Sequence, residues 1–385
     1  MKPITVLLLS SFILCPSWFV FAQGPLTPPG PPGPTMVTLN QVEPRTPITN
    51  LPYSITLPGS YYITTNMTGI VGSPGITILA NDVTVDLRGF TLQGVPGSGP
   101  AISVSNSVRN LAVRNGVLDG WGVRGTNAYN SLFERLRESN SGGPGILTGS
   151  NCVVSVCSVS VNFTVGIGVG NNGSVKDCTV SGTSGIGIQA LNNCVVADCT
   201  ASGNSSDGIN GGIGTVVRGC ASYENGGNGI TATNNCAVIG CTASGNNGAT
   251  AAGILGNGST VKDCTVSLNA FGIWVGNSCI VKDCTASTNS SSGILVTGNG
   301  SLITGNTCNG NGLGIYITSG QNRIDGNLVT QNGDGIVPTT VNAGNSITRN
   351  SASGNGSANY FNYTGNADYA PTGSVSTATN PWTNF

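Results

Sequence analysis

Carboxylates at a fixed interval are the first residues in this chain whose type and spacing could do chemistry. Asp177 and Asp198 lie 21 residues apart and Asp263 and Asp283 lie 20 apart, each directly before a cysteine. If that interval is one layer of a stacked structure, each pair stands about 5 Å apart, the carboxylate separation of a retaining glycosidase. The same column also holds Gly219, Gly240, Gly305 and Gly326. Asp and Gly share a tolerance for left-handed backbone, so the column reads equally as a row of tight bends. A second set lies between Arg88 and Arg137, which contains six of the 14 basic residues together with Asp119, Trp121, Glu134 and Glu138. There Arg124 on a carboxylate and Trp121 on a ring face would hold an acidic sugar, while a charged rim that solubilises the surface is the plainer reading.

Other chemistries are excluded. The chain has no histidine, which removes Ser-His-Asp and Cys-His nucleophiles, histidine acid/base catalysis and histidine-ligated metals. It has 13 cysteines, which in an exported chain would ordinarily announce disulfides. Their spacing argues otherwise. Cys157, Cys178, Cys199, Cys220, Cys241, Cys264 and Cys284 repeat with the carboxylate interval, and Cys152, Cys194, Cys236 and Cys279 each precede one of them by five residues. Stacked thiols have parallel Cα–Cβ bonds about 4.8 Å apart, and the pairs five residues apart straddle a strand of about 10 Å, so neither converges to bridging distance. We expect them reduced and buried as small apolar groups, Cys308 with them. Nothing converges on a point as a metal centre requires, so no metal site and no cofactor is expected.

The elements that position these residues follow from the same period. With Cys284 as origin, Leu136, the seven cysteines, Asn306, Asn327 and Asn350 recur at steps of 20 to 23 residues. Three residues before each comes an apolar residue, from Phe133 to Ile347; five after comes Asn, at 162, 204, 225, 246, 269, 289, 311, 332 and 355. Nine to thirteen after comes a Gly-Ile pair, from Ile146 to Ile336. A period near 21 residues, without helical spacing, suits one coil of a β-solenoid. The expected fold is all-β, a right-handed parallel β-helix of about twelve coils and a rod of roughly 55 to 60 Å, with isoleucine and asparagine ladders along its axis.

Residues 1–22 read as a signal peptide cleaved after Ala22: Lys2, an apolar run from Ile4 to Phe21 broken by Pro16 and Ser17, then Val20-Phe21-Ala22. Residues 23–50 read as a Pro/Gly-rich linker, 51–131 as the N-terminal cap and first coils, 132–361 as regular repeats and 362–385 as a C-terminal tail. No later segment is apolar enough to span a bilayer. Charged residues are 8% of the chain and no basic tract exists, so nucleic acid is not an expected partner, and a monomer is expected.

The stretches YSITLPGSYYITTNM, ITILANDVTVDLRGFTLQG and VRNLAVRNGVLDGWGV resemble the opening of secreted bacterial right-handed β-helix repeat proteins, the broad class of pectate lyases and periplasmic NosD-type proteins. The resemblance spans roughly Leu51 to Phe361. It implies the fold and an extracytoplasmic location. It leaves activity open, because the shared residues are core and turn positions. Two functions are expected in order: a non-catalytic solenoid that binds polysaccharide or a surface partner along its flank, then a polysaccharide lyase or glycoside hydrolase using carboxylate and Arg chemistry, with Ca²⁺ in the lyase case. No catalytic residue stands clear of the repeat. For binding, the residue after each ladder isoleucine points outward: Gly168, Gln189, Asn210 and Thr231 are polar or small, but Leu255, Trp274, Leu295, Tyr316 and Val337 are apolar on five successive coils. Trp274, Leu295 and Tyr316, with Trp121 and Arg124, are the candidate carbohydrate contacts; a C-terminal tail folded over the stripe, through Tyr369, Pro371, Trp382 or Phe385, is the competing expectation. Glu138 falls in an inward column, between Val117 and Val159, where a carboxylate should pair with Arg114 or Arg135, unless a local bulge turns it to solvent.

Overall fold

Short strands rich in Val, Ile and Thr, separated by corners that each contain a residue in left-handed conformation, build a parallel β-solenoid. The computed structural model describes residues 44–339, 344–361, 368–369 and 383–384. A typical coil contributes three strands, for example Thr260–Lys262, Thr265–Ser267 and Phe271–Val275. Each pairs in parallel with its counterpart one coil on, so three ladders run along the axis. The third ladder has 15 strands, from Tyr53–Ile55 to Ala358–Tyr360. That exceeds the twelve coils expected, because three of the first four strands of this ladder lack the Gly-Ile signature by which coils are counted; only Gly75-Ile76 has it. The first strand, Thr46–Ile48, already pairs with Gly59–Ile63, inside the stretch assigned to a linker.

The isoleucine ladder is as expected. Ile146, Ile167, Ile188, Ile209 and Ile230 pair in turn, and the run continues through Ile254, Ile273, Ile294, Ile315 and Ile336, all with no exposure. Tyr360 pairs with Ile336 and ends the column. Each ladder isoleucine touches its copies above and below, so burial of about 1.5 to 3 kcal/mol per residue is repeated along the rod.

Each coil turns three times, and each turn is one left-handed residue. In the coil of Cys264 these are Gly258, Asp263 and Leu268, with φ of 55°, 54° and 58°. The residue after each points inward: Ser259, Cys264 and Asn269 are all buried. The column before the cysteines, Asp177, Asp198, Gly219, Gly240, Asp263, Asp283, Gly305 and Gly326, has φ between 53° and 67° throughout. It is a row of bends. Three of its four aspartates lean on the lysine before them, at 3.6 Å for Lys176–Asp177, 3.2 Å for Lys262–Asp263 and 3.7 Å for Lys282–Asp283.

The end of the chain continues the coil. Asp368–Tyr369 pairs with Ser346–Ile347 on the first ladder, and Asn384 stacks on Asn350, accepting from its backbone N–H at 3.0 Å and donating to Ile347 O at 3.0 Å. Pro371, Trp382 and Phe385, invoked above as covers for the stripe, lie outside the described residues.

Candidate functional site

The twelve cysteines from Cys152 to Cys308 are free and buried. Each corner thiol points at two backbone carbonyls, its own two residues back and one in the preceding coil: Cys220 Sγ lies 3.3 Å from Arg218 O and 3.6 Å from Val196 O. Burial pushes the Cys152, Cys194 and Cys279 thiols up, and Cys308 to about 12. Burial holds Cys157, Cys199, Cys241 and Cys284 up as well.

The basic cluster of the first coils divides into structural and exposed members. Arg45 and Arg114 approach Asp86 at 3.6 and 3.8 Å, and Arg45 and Arg88 lie over the Tyr62 ring at 5.0 and 5.1 Å. Trp121 does not present a face for a sugar. Its ring, 2% exposed, fills the space left by three glycines: a Cβ on Gly69, Gly75 or Gly94 would lie 1.8, 2.7 or 2.4 Å from it. The indole N–H donates to Ser98 Oγ. Trp121 thus forms the wall of a cleft of about 570 Å³ between the loops around Gly94–Pro100 and Asn140–Pro144, with Arg124 at its edge. Asp119, just before the cleft residue Gly120, accepts from Asn140 at 2.8 Å and Ser139 at 3.0 Å, which hold its carboxyl below the usual range.

Glu138 is buried as the register required, though its neighbour in the preceding coil is Leu118 and not Val117. The expected arginine is absent. Arg114 turns to Asp86 and Arg135 to Glu134, and Glu138 is held by Asn162 Nδ2 at 2.8 Å, with its second oxygen unpartnered. Burial raises the carboxyl to about 8, so it is chiefly protonated at neutral pH. A neutral acid avoids the cost that an arginine was expected to offset.

The third ladder carries the candidate recognition groups in one outward column, of which Arg124 is exposed and most others are half-buried. Arg124, Leu147, Gly168, Gln189, Asn210, Thr231, Leu255, Trp274, Leu295, Tyr316 and Val337 pair successively in one outward column. Two further hollows border it, about 240 Å³ beside Leu147 and Gln189 and about 520 Å³ beside Thr231 and Leu255. Trp274 and Tyr316 are half-buried, and Leu295 between them is 5% exposed. The Trp274 indole donates to Thr297 Oγ1 at 3.0 Å, and its ring meets Phe271 at 5.3 Å and 57°. Trp274, Leu295, Tyr316 and Arg124 therefore share one face, and Trp121 does not join them. Sequence reasoning missed the polar network beside the stripe: Asp207 accepts from Asn228 N–H at 2.8 Å and Thr231 Oγ1 at 2.7 Å. Alternation from the inward Ile209 would turn Asp207 inward, but Gly208 faces the buried Ser222 and Asn225 instead, and Asp207 is left outward.

A family model described as right handed beta helix region matches residues 71–212, and one described as periplasmic copper-binding protein (NosD) matches 213–384. No curated protein matches the sequence. Among solved structures, the A-module of the Azotobacter vinelandii mannuronan C-5 epimerase AlgE6 is similar at 18% identity and TM-score 0.50, over 81% of this chain and 90% of that one. The AlgE4 A-module from the same organism gives 14% and 0.46, over 70% and 86%. A mannuronic acid specific polysaccharide family 6 lyase from human gut microbiota gives 14% and 0.44, over 69% and 78%. Among the described residues, no helix is long and apolar enough to cross a membrane.

Copper, which the second family description implies, does not fit the residues present. Among the described residues no group of three His, Cys, Asp or Glu side chains could hold a metal ion. The thiols, the ligands softest toward copper, are aimed at backbone carbonyls inside closed corners.

Proposed function

We propose that this chain, a right-handed parallel β-helix repeat protein, is exported and binds a polysaccharide along its third ladder without catalysing a reaction. The observation that carries the reading is the outward column in which Trp274, Leu295 and Tyr316 stack in register, with apolar neighbours on each side. Leu295 and Val337 are closed off from solvent, so the half-buried rings of Trp274 and Tyr316 are what the column offers a ligand, and aromatic faces suit sugar rings. The fold likeness to a mannuronan epimerase module supports the carbohydrate class, and the periplasmic description of the matching model supports export.

The carboxyls argue against hydrolysis. A general acid needs a raised pKa and access to substrate. Glu138 is raised but sealed inside the coil. Asp325 is lowered by Arg349, Thr348 and Arg323, which bind its two oxygens, and Asp119 is lowered as well.

A glycan array with and without Ca²⁺ tests this reading. Binding should appear without Ca²⁺, and Trp274→Ala or Tyr316→Ala should each weaken it about tenfold, the worth of one ring contact of roughly 1 to 1.5 kcal/mol. Release of reducing sugar, or a rise in ultraviolet absorbance on polyuronates, would establish the lyase or hydrolase alternative instead.

A further inference from the structure

We infer that the polysaccharide of this face is an uncharged, extended hexose chain lying parallel to the solenoid axis, not a polyuronate. This rests on the binding reading above and names its ligand class. The direction comes from the register. Trp274, Leu295 and Tyr316 occupy one outward column on successive coils, so their side chains step along the axis by about 4.8 Å each. Trp274 and Tyr316 are thus about 10 Å apart, two sugar rings of an extended chain, and an aliphatic floor at Leu295 lies between them. A chain lying across the axis would meet only one of the two aromatics.

The pose is prepared. The Trp274 ring is fixed by its bond to Thr297 and by the Phe271 ring, so little conformational freedom is lost on stacking.

The charge follows from what the ladder lacks. From Val165–Val169 to Asp334–Pro338 its strands contain no Lys or Arg. The charged side chains flanking the stripe are carboxylates, Asp207 on the N-terminal side and Asp334 opposite Leu313. Lys262 and Lys282 belong to the first ladder, each beside its own aspartate. A polyuronate brings one carboxylate per sugar and would meet two more here with no cation between them, an arrangement that like-charge repulsion disfavours. Hydroxyl groups, by contrast, find polar partners: Asn210 and Thr231 continue the face beyond Leu255.

The test is titration calorimetry of the mature protein with cellohexaose, hexamannuronate and hexagalacturonate, at low salt, with and without Ca²⁺. Cellohexaose should bind, its affinity should fall about tenfold in Trp274→Ala and in Tyr316→Ala, and neither uronate should bind measurably. The double variant Asp207→Asn/Asp334→Asn, which keeps each side chain's shape, should leave cellohexaose binding within about twofold and make uronate binding detectable. Circular dichroism of each variant checks that the fold persists. Uronate binding equal to or tighter than cellohexaose binding would overturn the inference while leaving the binding reading intact. Loss of all saccharide binding in the unmodified protein would overturn both.

Discussion

Two stretches of the solenoid close the same corner with different chemistry. From Cys157 to Cys284 the inward residue after the first ladder is a thiol; from Asn306 to Asn384 it is a carboxamide. Both reach for the same atom, the carbonyl one coil back. Cys284 Sγ lies 3.7 Å from Val261 O, and Asn306 Nδ2 donates to Val281 O at 2.9 Å. They differ in what they return. Cys241 and Cys264 each donate a backbone N–H to the sulfur of the next coil at 3.5 Å, whereas Asn306 N–H and Nδ2 both donate to Asn327 Oδ1, at 3.0 and 2.9 Å. The corner needs a small buried group that satisfies backbone, and a thiol is the weak version of that group. This explains the seven corner cysteines without disulfides or metal; Cys152, Cys194, Cys236 and Cys279 make the same contact at another corner, and Cys308 fills the core from within a strand.

The largest effect should therefore come from the amide side. Asn327→Ala removes the partner of Asn306 N–H and Asn306 Nδ2 and the donor to Ile303 O. Buried groups left unsatisfied cost about 1 to 3 kcal/mol each, so the total should be about 3 to 9 kcal/mol. Cys220→Ala, at the same corner on the thiol side, should cost only about 1 kcal/mol, mostly lost packing. Urea unfolding of the two variants measures the difference directly. Equal losses would show that sulfur and amide do the same work.

The start of the other asparagine column gives the next effect. Asn204 donates forward to Asn225, as do its successors, but Asn162 meets Thr183 in the next coil and turns back to Glu138. Thr183 Oγ1 is left buried without a partner. Because the folded carboxyl is raised to about 8, the folded chain keeps a proton that the unfolded chain loses at an ordinary carboxyl pKa. Stability is then full below about pH 4.5, declines as pH rises toward 8 and is flat above it. Glu138→Gln should remove that decline, worth up to a few kcal/mol, and leave the first coils as stable at pH 9 as at pH 5. Thermal unfolding followed across this range checks it; an unchanged slope would place the titration elsewhere.

Legibility in the sequence tracked regularity. The isoleucine ladder, the thiol columns and the outward stripe were readable because each repeats one residue type, or one polarity, at one interval. Only one of the three left-handed columns was read, since the other two mix residue types: Asn151, Ser278 and Gln321 in one, Val161, Leu268 and Thr288 in the other. Trp121 was misplaced because its environment is set by Gly69, Gly75 and Gly94, three unremarkable glycines in preceding coils of uneven length. Arginine was assigned to Glu138 on charge alone, whereas burial without a cation neutralised the acid instead.

The smallest expected effect is a gain, and it concerns the bend column that the thiol stretch shares with the amide stretch. Where Asp and Gly were read, Val156 also occurs, at φ 54°. A β-branched residue there is strained, since left-handed backbone costs an L-residue about 1 to 2 kcal/mol. Asn tolerates this conformation through local hydrogen bonding. Val156 is 53% exposed, so little burial is lost by replacing it. Val156→Asn should stabilise the protein by about 1 kcal/mol, read as a higher urea midpoint with an unchanged slope. Gly should gain less than Asn, because it also frees the unfolded chain. Gly305 and Gly326 hold the corresponding bends on the amide side, so replacing either with Val should cost a similar amount. A fall in midpoint for Val156→Asn would mean that the valine side chain packs the corner, and that the thiol stretch needs support from outside the coil that the amide stretch does not.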